Sequence, residues 1–61
     1  MTINVTDQEK ELLLELLETK LTATLHELHH TSTNDYKELL RRKVKLIEEL
    51  KVKIENVHSL T

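Results

Sequence analysis

The polar run HTSTND, residues 30–35, decides the fold because it separates two long segments in which apolar residues recur at helical spacing. Thr, Ser, Asn and Asp favour turns and helix caps, since their side chains compete with the backbone for hydrogen bonds. Ser32 and Asp35 have the spacing of a weak capping box, and Thr33 and Asn34 are alternative caps. We predict a break here rather than one continuous helix, although the chain has no Gly or Pro to enforce it.

The segment before this run predicts a first helix over residues 7–31. Thr6-Asp7-Gln8-Glu9 has the pattern of a capping box, in which the Thr hydroxyl and the Glu carboxylate satisfy free backbone N–H groups. At about 100° per residue, six leucines of this segment gather on one face. These residues are Leu13, Leu14, Leu17, Leu21, Leu25 and Leu28.

The segment after the run predicts a second helix over residues 34–58, with an apolar stripe that alternates steps of four and three. This is the a/d spacing of a heptad seam, and its members are Tyr36, Leu40, Lys43, Ile47, Leu50, Ile54 and Val57. Lys43 either extends its ammonium group to water or fixes the register through Glu18 or Glu27 of the first helix. Tyr36 is expected to close the loop end of the core, with its hydroxyl in solvent or on Glu27.

Two helices of about 25 residues joined by so short a loop must lie antiparallel. The fold class is therefore all-α, with residues 1–61 forming a single helical-hairpin domain. A chain of 61 residues is marginally stable without help, and because it has no cysteine the remaining helpers are a metal site or a partner chain. One hairpin of two helices also cannot enclose a core. We therefore expect a homodimeric four-helix bundle, with a tetramer left open. The predicted interface residues are Leu14, Leu17, Leu21, Leu25, Leu28, Tyr36, Leu40, Lys43, Ile47, Leu50, Ile54 and Val57.

A second set of residues lies on the opposite face of the first helix and comprises Leu12, Leu16, Thr19 and Ala23. Scattered surface leucines need no explanation. A second interface, for a tetramer or for another protein, explains them equally well.

Charge and composition exclude several classes of function. The net charge of −2 gives no reason to expect a nucleic-acid or membrane partner. Met1–Val5 lacks the pattern of a secretion signal, and no long apolar run is present, so we expect a soluble cytoplasmic protein without a cofactor. Lys37, Arg41 and Lys45 form a basic strip on the second helix. A solvated face is favoured over an RNA-binding surface, because Glu38 and Glu48 interrupt the strip.

The run HELHH, residues 26–30, matches the two-histidine pattern of zinc hydrolases, H-E-x-x-H. A catalytic zinc site also needs a third protein ligand, an open coordination position and a cleft. A two-helix hairpin provides no cleft, and His26 and His30 point away from the leucine face. We therefore expect no enzymatic activity, and we retain the pair only as a weak candidate metal site, with His58 of another chain as a candidate further ligand.

Residues 30–43, HTSTNDYKELLRRK, between a Leu-rich and a Leu/Ile-rich helix, resemble a group of small bacterial proteins of unknown function. Their Thr-rich turn followed by Tyr and a basic residue matches Thr31, Thr33, Tyr36 and Lys37, with Glu27 before the turn and Lys43 after it. The resemblance implies a helical hairpin and no activity. In size and topology alone, the chain is also similar to Rop-like RNA-binding hairpin dimers. We expect a structural or regulatory interaction module, with RNA binding and then metal binding as alternatives.

Overall fold

The computed structural model describes residues 3–58, which form two α-helices packed against each other. Helix α1 spans Asp7–His30 and helix α2 spans Asn34–Glu55, with three residues between them. The predicted all-α hairpin is confirmed. Within residues 3–58, neither helix is long and apolar enough to cross a bilayer.

The capping box at the start of α1 is confirmed. The Thr6 hydroxyl accepts from the Glu9 N–H at 3.1 Å, and the Thr6 N–H donates to Glu9 Oε1 at 2.8 Å. Asp7 and Glu9 also lie in the first turn, where a negative charge favours the helix dipole. This end of the hairpin is joined to the end of α2 by the Lys10 ammonium group, which donates to the Val57 carbonyl at 3.0 Å.

The turn and the end of α2 differ in detail from the sequence-based boundaries. Thr33 is the N-cap residue of α2, so the predicted Ser32–Asp35 box is wrong and one of the alternative caps is used, without a side-chain hydrogen bond. Helix α2 ends at Glu55 rather than at residue 58. Asn56 leaves the helical conformation, and its side-chain amide donates to the Val52 carbonyl at 3.0 Å, which satisfies a carbonyl of the last turn.

The contact between the helices is a heptad seam on each helix. On α1 it follows Leu14, Leu17, Leu21, Thr24 and Leu28, and on α2 it follows Leu40, Val44, Ile47, Lys51 and Ile54. Thr24, Leu40, Ile47 and Ile54 are the buried members, and the others are half-buried. The seam thus supplies a narrow core along one line of each helix.

The hairpin is one helix thick. Its Cα atoms extend 45 × 19 × 10 Å, because the two helices lie side by side in a single layer. A single layer of this kind covers one side of each helix and leaves two broad sides uncovered. The chemical difference between those two sides is the basis of the candidate site.

Candidate self-association face

Large apolar side chains remain exposed on both helices. On α2, Leu39 is 58% exposed, Leu46 is 65% exposed and Val52 is 56% exposed, while Tyr36 and Leu50 lie just above one third. On α1, Leu12 and Leu16 are more than half exposed. Single exposed leucines are ordinary, so the question is whether these residues share one side of the hairpin.

Tyr36 and Glu27 identify one side, because the Tyr36 hydroxyl donates a hydrogen bond to Glu27 Oε1 across the two helices. Residues separated by steps of three and four stay on the same side of a helix. We follow these steps from Glu27 towards the start of α1, and from Tyr36 towards the end of α2. We call this side the open face, and its residues are Leu13, Leu16, Lys20, Ala23, Glu27, Tyr36, Leu39, Lys43, Leu46 and Leu50.

The opposite side of the hairpin is predominantly charged. Counting about 100° per residue, we place on it the α1 residues Glu11, Glu15, Glu18, Thr22, Leu25 and His29 and the α2 residues Arg41, Lys45, Glu48, Val52 and Glu55. Val52 is the exposed large apolar residue on this side, whereas the open face carries five. The hairpin is therefore amphipathic as a whole.

An ion pair joins the two helices between the seam and the charged side. Lys51 Nζ lies 2.6 Å from Glu18 Oε2, and both side chains are partly exposed. The hydrogen bond to Glu18 and the charge of Glu18 raise the pKa of Lys51. Lys51 occupies a seam position, so its aliphatic stem packs along the contact while its ammonium group reaches this acid.

Most of the residues predicted as the oligomer interface lie in the seam or on the open face, and Leu25 lies on the charged side. Leu40, Ile47 and Ile54 are buried within the hairpin itself. Their neighbours Leu14, Leu17, Leu21, Leu25, Leu28 and Val57 are half-buried. Tyr36, Lys43 and Leu50 are exposed on the open face. Of the two acids proposed as partners for Lys43, Glu18 contacts Lys51 and Glu27 contacts Tyr36 within the hairpin.

The residues of the second predicted interface, Leu12, Leu16, Thr19 and Ala23, are all exposed. Leu16 and Ala23 belong to the open face, whereas Leu12 and Thr19 lie on the outer surface of α1. Thr19, Ala23 and His26, together with Glu18 and Thr22, line a shallow depression of about 570 Å³ on that surface.

His26 and His30 lie side by side on the outer surface of α1. Their ring centroids are 4.3 Å apart, with the rings tilted by 47°, and both side chains are exposed. Over residues 3–58, no group of three or more His, Cys, Asp or Glu side chains is arranged to hold a metal ion. The Glu27 carboxylate accepts the Tyr36 hydroxyl on the open face. It is therefore not placed to polarise a water bound to the histidines, as the hydrolase mechanism would require.

The basic strip on α2 is interrupted by an acid. Glu38 lies 3.8 Å from Arg41 and 3.5 Å from Arg42, through its two carboxylate oxygens. Lys37 is half-buried beside the turn, which leaves Lys45 as an exposed lysine of the strip. This arrangement provides no continuous positive surface of the kind that neutralises a run of phosphates.

The geometry defines the chain as an antiparallel α-helical hairpin with one apolar side. No protein-family model, characterised protein or solved structure matches it. The resemblance carried by residues 30–43 accordingly stays a prediction.

Sequence reasoning missed some of the residues that hold the helices together. Thr24, Val44, Lys51 and Lys10 contribute to the contact, yet none was among the predicted interface residues. The signal for the first two was available, because Leu21, Thr24 and Leu28 on α1 and Leu40, Val44 and Ile47 on α2 have heptad spacing. Thr24, Lys51 and Lys10 are polar, and an apolar heptad pattern does not identify polar residues as part of a contact.

Proposed function

We propose that this chain is a small self-associating interaction module, and that the open face packs against the open face of a second copy to form a four-helix bundle. The observation that carries the proposal is the contrast between the two sides of a hairpin only one helix thick. The open face exposes Leu16, Leu39 and Leu46 by more than half, whereas the opposite side carries mainly charged groups. No catalytic activity is expected of this arrangement.

The expected gain from pairing is large enough to matter for a chain of this size. Full burial of a leucine side chain stabilises by about 1.5–3 kcal/mol. Leu39 and Leu46 retain 58% and 65% of their exposure in the hairpin. Covering both side chains in both copies would therefore contribute about 4–7 kcal/mol before the entropy cost of association. The remainder of the open face adds to this sum.

A second copy of the same chain is the occupant that fits the open face best. A two-fold contact places the same surface patch on both partners, so each apolar line would meet another apolar line. Lys20 and Lys43 interrupt these lines near the middle. Their stems extend the apolar surface, while their ammonium groups reach water at the edges of a bundle.

The test is the molar mass of the purified chain at micromolar concentration, measured by light scattering, with Leu46→Glu as the disrupting variant. This substitution removes a side chain from the contact in both copies and places a charge there. We expect the dissociation constant to rise by about 30- to 1000-fold, from about 2–4 kcal/mol of lost burial.

Val52→Glu is the matched control, because Val52 is similarly exposed on the charged side of the same helix. It introduces the same charge and should leave the molar mass unchanged. A folded native monomer at micromolar concentration would contradict the proposal. Equal dissociation of the Leu46→Glu and Val52→Glu variants would contradict the assignment of the open face.

A further inference from the structure

The paired histidines on the outer surface of α1 belong to neither the seam nor the open face. His26 and His30 are one helical turn apart, and their ring centroids are separated by 4.3 Å. Because both side chains are exposed, each ring is free to rotate and present a nitrogen to the same point in space. Two imidazoles at this spacing can chelate a single borderline divalent ion such as Zn²⁺.

The position along the helix also favours a cation. His30 is the last residue of α1, and His29 and His30 lie in its final turn. The unpaired carbonyl groups at a helix C-terminus form the negative end of the helix dipole, which stabilises positive charge within the last turn. A metal ion bound between His26 and His30 would lie in this region.

One chain cannot complete the coordination shell of such an ion with protein ligands. Tetrahedral zinc takes four ligands, and the pair supplies two. The Glu27 carboxylate accepts the Tyr36 hydroxyl on the open face. His58 of the same chain lies too far from the pair, because it follows Val57, whose carbonyl accepts a hydrogen bond from Lys10 at the other end of the hairpin. Lys10 is sixteen residues, or about 24 Å, away from His26 along the helix axis.

The surface beside the pair leaves room for a second copy. Thr19, Thr22 and Ala23 are short side chains, and together with Glu18 and His26 they line the depression of about 570 Å³. Short side chains allow another helix to approach closely enough to present its own pair of histidines. Two copies related by a two-fold axis would then supply four imidazoles to one ion.

We propose that His26 and His30 form half of a four-imidazole site for Zn²⁺ or another late first-row divalent ion, completed by the same two residues of a second copy. Both metal ligands lie on the outer surface of α1, outside the open face. Metal binding therefore links hairpins by a route independent of apolar self-association.

The experiment is calorimetric titration of the purified chain with Zn²⁺, combined with light scattering before and after the chelator EDTA is added. We expect one ion per two chains and a doubling of the mass of the metal-free species, reversed by the chelator. His26→Gln and His30→Gln should each abolish both effects. His29→Gln and His58→Gln change the remaining histidines and should retain both effects.

Three results would overturn the proposal: no Zn²⁺ binding by the native chain, equal losses in all four histidine variants, or one ion per chain with an unchanged mass. The Leu46→Glu variant separates this proposal from apolar self-association. It should still double its mass with Zn²⁺, whereas His26→Gln in EDTA should have the same mass as the native chain in EDTA.

Discussion

Thr24 offers the most direct test of how the hairpin seam is stabilised. It is a polar side chain buried to 3% exposure in a line of leucines, and its hydroxyl donates to the Lys20 carbonyl at 2.7 Å. That carbonyl already accepts the Thr24 backbone N–H, as in any α-helix. Replacing the hydroxyl with a methyl group in Thr24→Val therefore leaves no buried polar group without a partner.

Opposing effects of similar size decide the outcome for Thr24→Val. The lost hydrogen bond contributes about 0.5–1.5 kcal/mol. That figure is a net one, which already includes the cost of removing the hydroxyl from water. Burial of the new methyl group contributes about 0.8 kcal/mol. We therefore expect Thr24→Val to change the free energy of unfolding by less than about 1 kcal/mol. Thr24→Ser keeps the hydroxyl and loses the methyl group, so it should lower that free energy by about 0.5–1.5 kcal/mol.

The assay is urea unfolding followed by circular dichroism, at equal chain concentration for the native protein and both variants, because self-association makes stability depend on concentration. A change of 1 kcal/mol should move the thermal midpoint by about 4–8 °C in a domain of this size. The reasoning is refuted if Thr24→Val destabilises while Thr24→Ser is neutral, since the hydroxyl would then contribute more than the methyl group.

Two further predictions concern the polar contacts between the helices. The Glu27 hydrogen bond, with smaller effects of burial and of the Glu27 charge, raises the pKa of Tyr36 above 10.0. The hydrogen bond of Tyr36 therefore stabilises the fold fully below the pKa that Tyr36 has in the unfolded chain. This stabilisation is lost as the pH rises through the pKa of Tyr36 in the folded chain. Glu27→Gln should lower this pKa, as followed by ultraviolet absorbance of the single tyrosine; an unchanged titration would count against the contact. Glu18→Gln should destabilise the hairpin at low salt and lose most of that effect at high salt, because its partner Lys51 is partly exposed. Glu15→Gln is the exposed control. If the loss of stability depends on salt equally in the Glu18→Gln and Glu15→Gln variants, the ion pair does not stabilise the hairpin.

The fold was accessible from the sequence because several local signals agree. The capping box at Thr6 and Glu9 determines where α1 begins, and the run of Thr, Ser and Asn determines where it ends. Both signals depend on hydrogen bonds between residues close in sequence, so no tertiary information is needed to read them. The antiparallel arrangement then follows from the short connection alone.

The phase of the α2 seam was harder to predict. The sequence favours a line through Tyr36, Lys43 and Leu50, whereas the half-buried residues of the α2 seam are Val44 and Lys51. A lysine looks costly at a buried position, yet its stem can pack while its ammonium group reaches an acid at the edge. Whether such an acid is present depends on the other helix, here Glu18, and a periodicity search within one helix cannot find it.

The sequence identifies the apolar residues of the candidate site, but it does not show that they share one side of the hairpin. Leu16, Leu39 and Leu46 are visible in the sequence as apolar residues outside the main stripes. Their common side depends on the rotation of each helix about its own axis, which the seam determines. The contact between Tyr36 and Glu27 supplies that information, because it shows which lines of α1 and α2 face the same way.

The two proposals together limit how copies of this chain can assemble. Under apolar self-association, a two-fold contact between open faces is closed, because it uses the same surface on both partners and leaves charged sides outward. Growth beyond two copies then needs a second, chemically different surface. The outer surface of α1 carries such chemistry in His26 and His30. Metal bridges there would join two closed dimers into one assembly of four chains, so the concentration of free Zn²⁺ as well as that of the chain would set the fraction of dimers that are joined.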